Sequence, residues 1–177
     1  DCDAPYKHFN DWPNWLPVEN HNIKELLLNP HFRKEITKLS GKITLLVGGP
    51  PCQGFSVGGA RRADDERNKL VYDFLEFISL LQPELVLIEN VEGMRKAFKS
   101  NSNMPMQSVL DLVFEKLNSL GYEAGYFVAK ALDAGVPQDR RRIITFAVKK
   151  NIINGINLGK ILEIEYKKAC LGIRKKL

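Results

Sequence analysis

The stretch that most constrains the fold is a short apolar run that ends in an abrupt change of backbone chemistry. Ile43-Thr44-Leu45-Leu46-Val47 reads as a buried strand. It is followed at once by Gly48-Gly49-Pro50-Pro51, where two glycines and two prolines break the strand. A single cysteine, Cys52, comes next, and then Gln53-Gly54-Phe55-Ser56. A thiol at the exit of a central strand, on a loop of restricted backbone, lies where open α/β sheets bind their ligands.

The rest of the chain alternates in the way such a sheet requires. Leu70 to Leu81 carries Leu70, Phe74, Phe77, Ile78 and Leu81 at helical spacing, and Gln82-Pro83 ends it. Leu85 to Glu89 is a second strand, apolar on both faces like a buried parallel strand. A further helix is expected from Pro105 at its first turn, with Met106, Val109, Leu110, Val113, Leu117 and Leu120 on its apolar face and Gly121 closing it. Tyr122 to Ala129 and Arg142 to Val148 read as third and fourth strands. No helix separates these two, so the last strand is expected to run antiparallel. The fold class is therefore α/β with a mostly parallel sheet and right-handed crossovers. Upstream, Ile23 to Leu28 reads as a short helix or turn and Phe32 to Leu39 as another, ended by Ser40-Gly41, while Leu158 to Leu171 reads as a C-terminal amphipathic helix. The segment 48–69 is a long polar loop, of the kind that is usually functional.

Composition narrows the class. With 177 residues, 44% of them hydrophobic and 27% charged, the chain is one domain or part of one and can bury a core. It has no apolar run of membrane-spanning length. Asp1-Cys2-Asp3 lacks a basic start and an apolar core, so no signal peptide is expected. A cytoplasmic location (bacterial cytosol or nucleoid) is expected. Absence of an initiator Met points to a fragment or a processed product. Three scattered cysteines, Cys2, Cys52 and Cys170, form no CxxC pair, so neither a zinc site nor a redox dithiol is expected. The formal charge of +5 fits a nucleic-acid partner, although much of the excess lies in the basic tail.

Chemistry gathers at three strand ends. Cys52 is either a small buried residue or a nucleophile, and the flanking prolines and glycines favour the second. Glu89 ends an otherwise apolar strand, where it serves as a salt-bridge partner or as a proton donor, with Asn90 locking the turn and orienting it. Gln138-Asp139-Arg140-Arg141-Arg142 straddles a loop-to-strand transition. Alternation sends Arg140 and Arg142 to one side and Arg141 to the other. Guanidinium forks suit phosphates and base carbonyls. A sulfur nucleophile, a carboxylic acid and a cationic clamp together fit covalent activation of an electron-poor ring.

Three motifs carry a family resemblance. Gly49-Pro50-Pro51-Cys52-Gln53-Gly54-Phe55-Ser56, Glu89-Asn90-Val91 and Gln138-Asp139-Arg140-Arg141-Arg142 resemble, in order and spacing, the motifs of the cytosine-5 DNA methyltransferases. The resemblance covers residues 43–148. It implies a Rossmann-like S-adenosyl-L-methionine-dependent fold, incomplete at both ends, and double-stranded DNA as partner. Under it Cys52 attacks carbon 6 of a flipped cytosine. Glu89 protonates ring nitrogen 3, Arg142 holds the base carbonyl, and Arg140 supports Cys52. Pro50, Gln53, Ser56, Arg67 and Asn90 serve the substrate, the Pro50 carbonyl by accepting from the exocyclic amine and Arg67 by meeting a phosphate. Asn22, Ile23, Pro51 and Leu70 serve the cofactor, with Asn22 standing where the family usually has an aspartate.

The resemblance also implies a division into a partial cofactor-side region (1–42), a catalytic core (43–148) and a basic C-terminal helix and tail (149–177), with no target-recognition domain. The family's Phe-x-Gly-x-Gly loop is not found. Its acidic residue after a second strand is matched at best by Asp1 or Asp3, and its C-terminal Asn-containing motif is not found either. A second chain supplying these parts is one expectation, and a restriction–modification setting is another. Three alternatives stay open: a related transfer-RNA cytosine methyltransferase, which Gly54-Phe55-Ser56 disfavours; a truncated inactive or regulatory subunit; and a generic thiol hydrolase, for which His8, His21 and His31 offer no convincing base.

Overall fold

The structure, a computed structural model, describes residues 13–51, 69–96, 108–153 and 156–174. Two short helices, α1 (Ile23–Leu28) and α2 (Pro30–Thr37), precede strand β1 (Leu45–Gly48). Helix α3 (Lys69–Leu81), strand β2 (Leu85–Val91), helix α4 (Val109–Ser119), strands β3 (Tyr122–Lys130) and β4 (Arg141–Lys149) and helix α5 (Leu158–Arg174) follow. The four strands form one sheet in the order β1-β2-β4-β3. β1 and β2 are parallel, and β4 runs antiparallel to both of its neighbours, as expected for a strand that follows β3 without a crossover helix.

Local chemistry accounts for the ends of the elements. Asn22 caps α1 by accepting from the Lys24 N–H, and Asn29 caps α2, where Pro30 occupies the first turn. α3 ends as predicted, with Gln82 in the left-handed region (φ 47°) immediately before Pro83. The helix expected from Pro105 begins instead at Val109. Ser108 accepts from the Asp111 N–H while the Asp111 side chain accepts from the Ser108 N–H, a reciprocal cap that sets the start. Pro105 and Met106 lie outside the described residues. Gly121, at φ 85°, closes α4 as expected.

The core lies on one face of the sheet. Val71, Phe74, Leu75 and Ile78 of α3 and Val109, Leu110, Val113 and Leu117 of α4 pack on Val86, Ile88, Ile143, Ala147 and Tyr122. A Cβ at Gly48 would stand 2.4 Å from the Phe74 ring, so that position excludes a side chain. Tyr122 is sealed in this core with its hydroxyl donating to the Pro83 carbonyl (2.5 Å), and burial pushes its pKa up to about 12.

The opposite face is covered unevenly. α5 lies flush on β3, where a Cβ at Gly125 would stand 2.4 Å from the Gly159 nitrogen, and the Phe127 and Tyr166 rings are 4.8 Å apart. Toward β1 that face is open: Leu45 is 45% and Val47 59% exposed. β2 is therefore not buried on both faces, as its apolar sequence led us to expect. Val86, Ile88 and Asn90 are buried, while Leu85, Leu87 and Glu89 are half-exposed. Among the described residues no helix is long and apolar enough to cross a membrane.

Candidate active site at the ends of β1, β2 and β4

Parallel pairing sets Gly48 beside Ile88, so the chain leaving β1 passes the residue that follows, Glu89. A Cβ built on Gly49 would lie 3.4 Å from the Glu89 Oε2 atom. The strand exit thus runs within ordinary contact distance of the carboxylate. On the other side of β2, the register pairs Glu89 with Ile144 and Val91 with Arg142. Glu89 and Arg142 thus stand on the same face, two positions apart, and the Arg142 Nε meets the Glu89 Oε1 at 2.9 Å. Arg142 also donates from Nη1 to the Arg141 carbonyl (2.8 Å), which fixes the plane of the fork. Their side chains are 26% and 45% exposed, so the pair faces an open space. Exposed pairs of this kind contribute roughly 0.2–1 kcal/mol.

Beneath this pair, on the core side, Asn90 is only 4% exposed. Its Nδ2 donates to the Pro50 carbonyl at 2.9 Å, and its Oδ1 accepts from the Val91 N–H at 2.8 Å. The second bond is the turn lock expected from the sequence. The first bond was not legible there, since the partners are 40 residues apart and nothing in either motif names the other. Both ends of the Asn90 amide are thus engaged with backbone, on the face opposite Glu89. The Pro50 carbonyl, expected to meet an exocyclic amine, already accepts from Asn90.

The other candidate residues are distributed as follows. Arg141 leans away, its Nε 3.2 Å from Asp139. Arg140 sits one residue before β4, exposed, its N–H donating to the Gln138 carbonyl and its carbonyl accepting from the Ala131 N–H. Pro51 is exposed. Asn22 spends its amide oxygen on the helix cap, Ile23 is packed against the core, and Leu70 is half-buried in the first turn of α3, against which α1 packs. His21 donates a ring N–H to the Pro17 carbonyl (2.7 Å). Cys52, Gln53, Ser56 and Arg67 lie outside the described residues.

Comparison with known proteins identifies the family. The family model described as C-5 cytosine-specific DNA methylase matches residues 14–171. The type II methyltransferase M.DdeI of Desulfomicrobium norvegicum is 38% identical over 106 residues, which is 60% of this chain and 25% of that protein. M.BsuRI of Bacillus subtilis is 40% identical over 111 residues, 63% of this chain and 24% of that one. Among solved structures, a prophage-encoded E. coli protein assigned as a DNA modification methyltransferase is 32% identical, with a TM-score of 0.54 over 77% of this chain and 34% of its own. A Spodoptera frugiperda DNMT2 mutant is 26% identical, with a TM-score of 0.52 over 85% of this chain and 40% of its own. The chain spans about a quarter of the length of these two curated relatives.

Proposed function

Given that this chain belongs to the C-5 cytosine-specific DNA methylase family, we propose that it carries the catalytic acid, clamp and nucleophile loop of a DNA cytosine-5 methyltransferase. The observation that carries the reading is the Glu89–Arg142 pair, set at adjacent strand ends against Gly49, three residues before Cys52. A carboxyl group and a guanidinium fork on one open face suit a ring that needs a proton on one nitrogen and a donor on the neighbouring carbonyl.

In this reading the Cys52 sulfur adds to carbon 6 of a cytosine turned out of the duplex, and Glu89 gives a proton to ring nitrogen 3. The addition makes carbon 5 nucleophilic. S-adenosylmethionine, when bound, supplies the electrophilic methyl group. Loss of the carbon-5 proton, return of the nitrogen-3 proton to Glu89 and departure of the sulfur restore the ring and free Cys52. Arg142 uses Nε on Glu89 and Nη1 on the Arg141 carbonyl, and the rest of its five-donor fork suits the base carbonyl. Arg140 supports the Cys52 loop, and Gln53, Ser56 and Arg67 complete the contacts to base and phosphate.

On the cofactor side, this reading assigns Ile23, Leu70 and Pro51 to an apolar flank, and Asn22 retains one lone pair beyond its cap. They would form one side of a pocket. The remainder, together with target recognition, comes from protein outside these residues, on a second chain or a longer one. The isolated chain is therefore expected to bind S-adenosylmethionine weakly by calorimetry and to methylate nothing. Tight binding would contradict this division. Relatives named type II methyltransferases favour a restriction–modification setting.

The test is methyl transfer by the completed enzyme, with duplex DNA and transfer RNA offered in parallel. We expect methylation of DNA, at carbon 5 of cytosine. Methylation of transfer RNA alone would move the substrate to the related RNA class, and transfer to neither would remove the enzyme reading.

A further inference from the structure

We infer that Asn90 is a positioning residue that pins the nucleophile loop to the strand bearing the acid, a role that rests on the methyltransferase reading above. The starting point is a deficit in the backbone. Pro50 and Pro51 have no N–H, so the chain leaving β1 loses two successive donors at the point where it must be held. Each proline keeps its carbonyl as a polar handle. The Pro50 carbonyl is buried, and the Asn90 amide reaches it across the strand ends at 2.9 Å.

An amide is the group this position requires. Asn90 must donate to a carbonyl at one end and accept from the Val91 N–H at the other. A hydroxyl is too short to span both. A carboxylate accepts but does not donate, and it would oppose the Pro50 oxygen. Alternation along β2 then divides the work between neighbours. Glu89 faces the open side beside Gly49, while Asn90 reaches under the sheet end to the residue after Gly49. One dipeptide thus carries the acid and also fixes where the loop leading to Cys52 begins. The other buried polar residues among those described have different settings: Ser108 serves its own helix cap, and Thr145 lies in the interior of β4.

The experiment compares Asn90→Asp and Asn90→Ala with the unaltered protein, in the full chain and in the completed enzyme. Two readouts do not need activity. The first is hydrogen exchange in the peptide spanning residues 45–53, with β4 as internal reference. The second is the alkylation rate of Cys52, located by mass spectrometry and divided by that of Cys170. Both variants are expected to raise exchange in 45–53 by tenfold or more while β4 is unchanged, and to change the Cys52/Cys170 ratio at least threefold. In the completed enzyme kcat should fall by 10-fold or more, with KM for DNA within twofold.

Acid distinguishes the two variants. As pH falls through the pKa of the new aspartate, its protonated carboxyl can donate to the Pro50 carbonyl. The Asp variant should then return toward the parent's exchange pattern at the same pH, and the Ala variant should not. Unchanged exchange in 45–53 together with a raised KM would make Asn90 a substrate contact and overturn the proposal. A uniform rise in exchange across β4, with an unchanged Cys52/Cys170 ratio, would reduce Asn90 to a general fold contributor and overturn it also. Failure of Cys52 as nucleophile would leave the exchange result standing, so the two claims fail separately.

Discussion

The two faces of β2 are built from the same seven residues and are put to different uses. On one face Val86, Ile88 and Asn90 are sealed beneath α3 and α4, and their neighbours on β4 are Ala147, Thr145 and Ile143. On the other, Leu85, Leu87 and Glu89 are half-exposed, with Val47 more exposed still on β1. The contrast teaches where this molecule keeps its rigidity and where it keeps its chemistry. The sealed face holds the strand ends in register and, in the proposed reading, fixes through Asn90 the start of the loop that leads to Cys52. The open face presents the carboxyl and guanidinium groups and leaves Leu45 and Val47 exposed.

Substitutions on the two faces should therefore fail in different ways. The largest effect is expected from Glu89→Gln on the open face. Loss of the proton donor should slow methyl transfer by roughly 10²–10⁴-fold with thermal stability nearly unchanged, measured as single-turnover rate beside a melting curve. An equal loss of stability would erase the distinction between the faces. Next comes Ile78→Ala on the sealed side. Ile78 is fully buried, and truncation should cost about 2–5 kcal/mol in denaturant unfolding. Val47→Ala, at 59% exposure, should stay within about 0.5 kcal/mol in the isolated chain. A larger cost would mean that this part of the face is covered in solution.

Tyr122 should give an effect between those of Ile78 and Val47. Its folded-state pKa is raised from 10 to about 12 by burial, so the folded protein holds this proton more tightly than the unfolded chain does. The associated stability is fully present below pH 10 and is lost as pH rises toward 12. Denaturant unfolding across that window should show the decline, and Tyr122→Phe should flatten it while costing about 0.5–1.5 kcal/mol at neutral pH through the missing bond to Pro83. An equally steep decline in the Phe variant would assign the alkaline loss to other groups.

Much of this division was legible in the sequence, and the parts that were not share a cause. Strand and helix positions follow from periodicity and from breakers at Gly48-Gly49, Gln82-Pro83 and Gly121, all of which act locally. The reversed direction of β4 followed from the short connection after β3. One-sided burial of β2 did not follow, because an apolar strand reads the same whether or not protein covers both faces. α4 starts at Val109 and not near Pro105 because a proline only tolerates a first turn, whereas the reciprocal cap of Ser108 and Asp111 sets one. The Glu89–Arg142 meeting was expected from the motif set. The Asn90–Pro50 bond was not, since it depends on the register of β1 against β2.

The most direct measurement is covalent capture on duplex DNA carrying 5-fluorocytosine at the target position, with S-adenosylmethionine and any completing protein present. The fluorine on carbon 5 prevents the final elimination, so the account predicts a stable protein–DNA adduct whose peptide map places the bond on Cys52, and no adduct with Cys52→Ser. An adduct of the same yield with the Ser variant, or one mapped to Cys2 or Cys170, would contradict it.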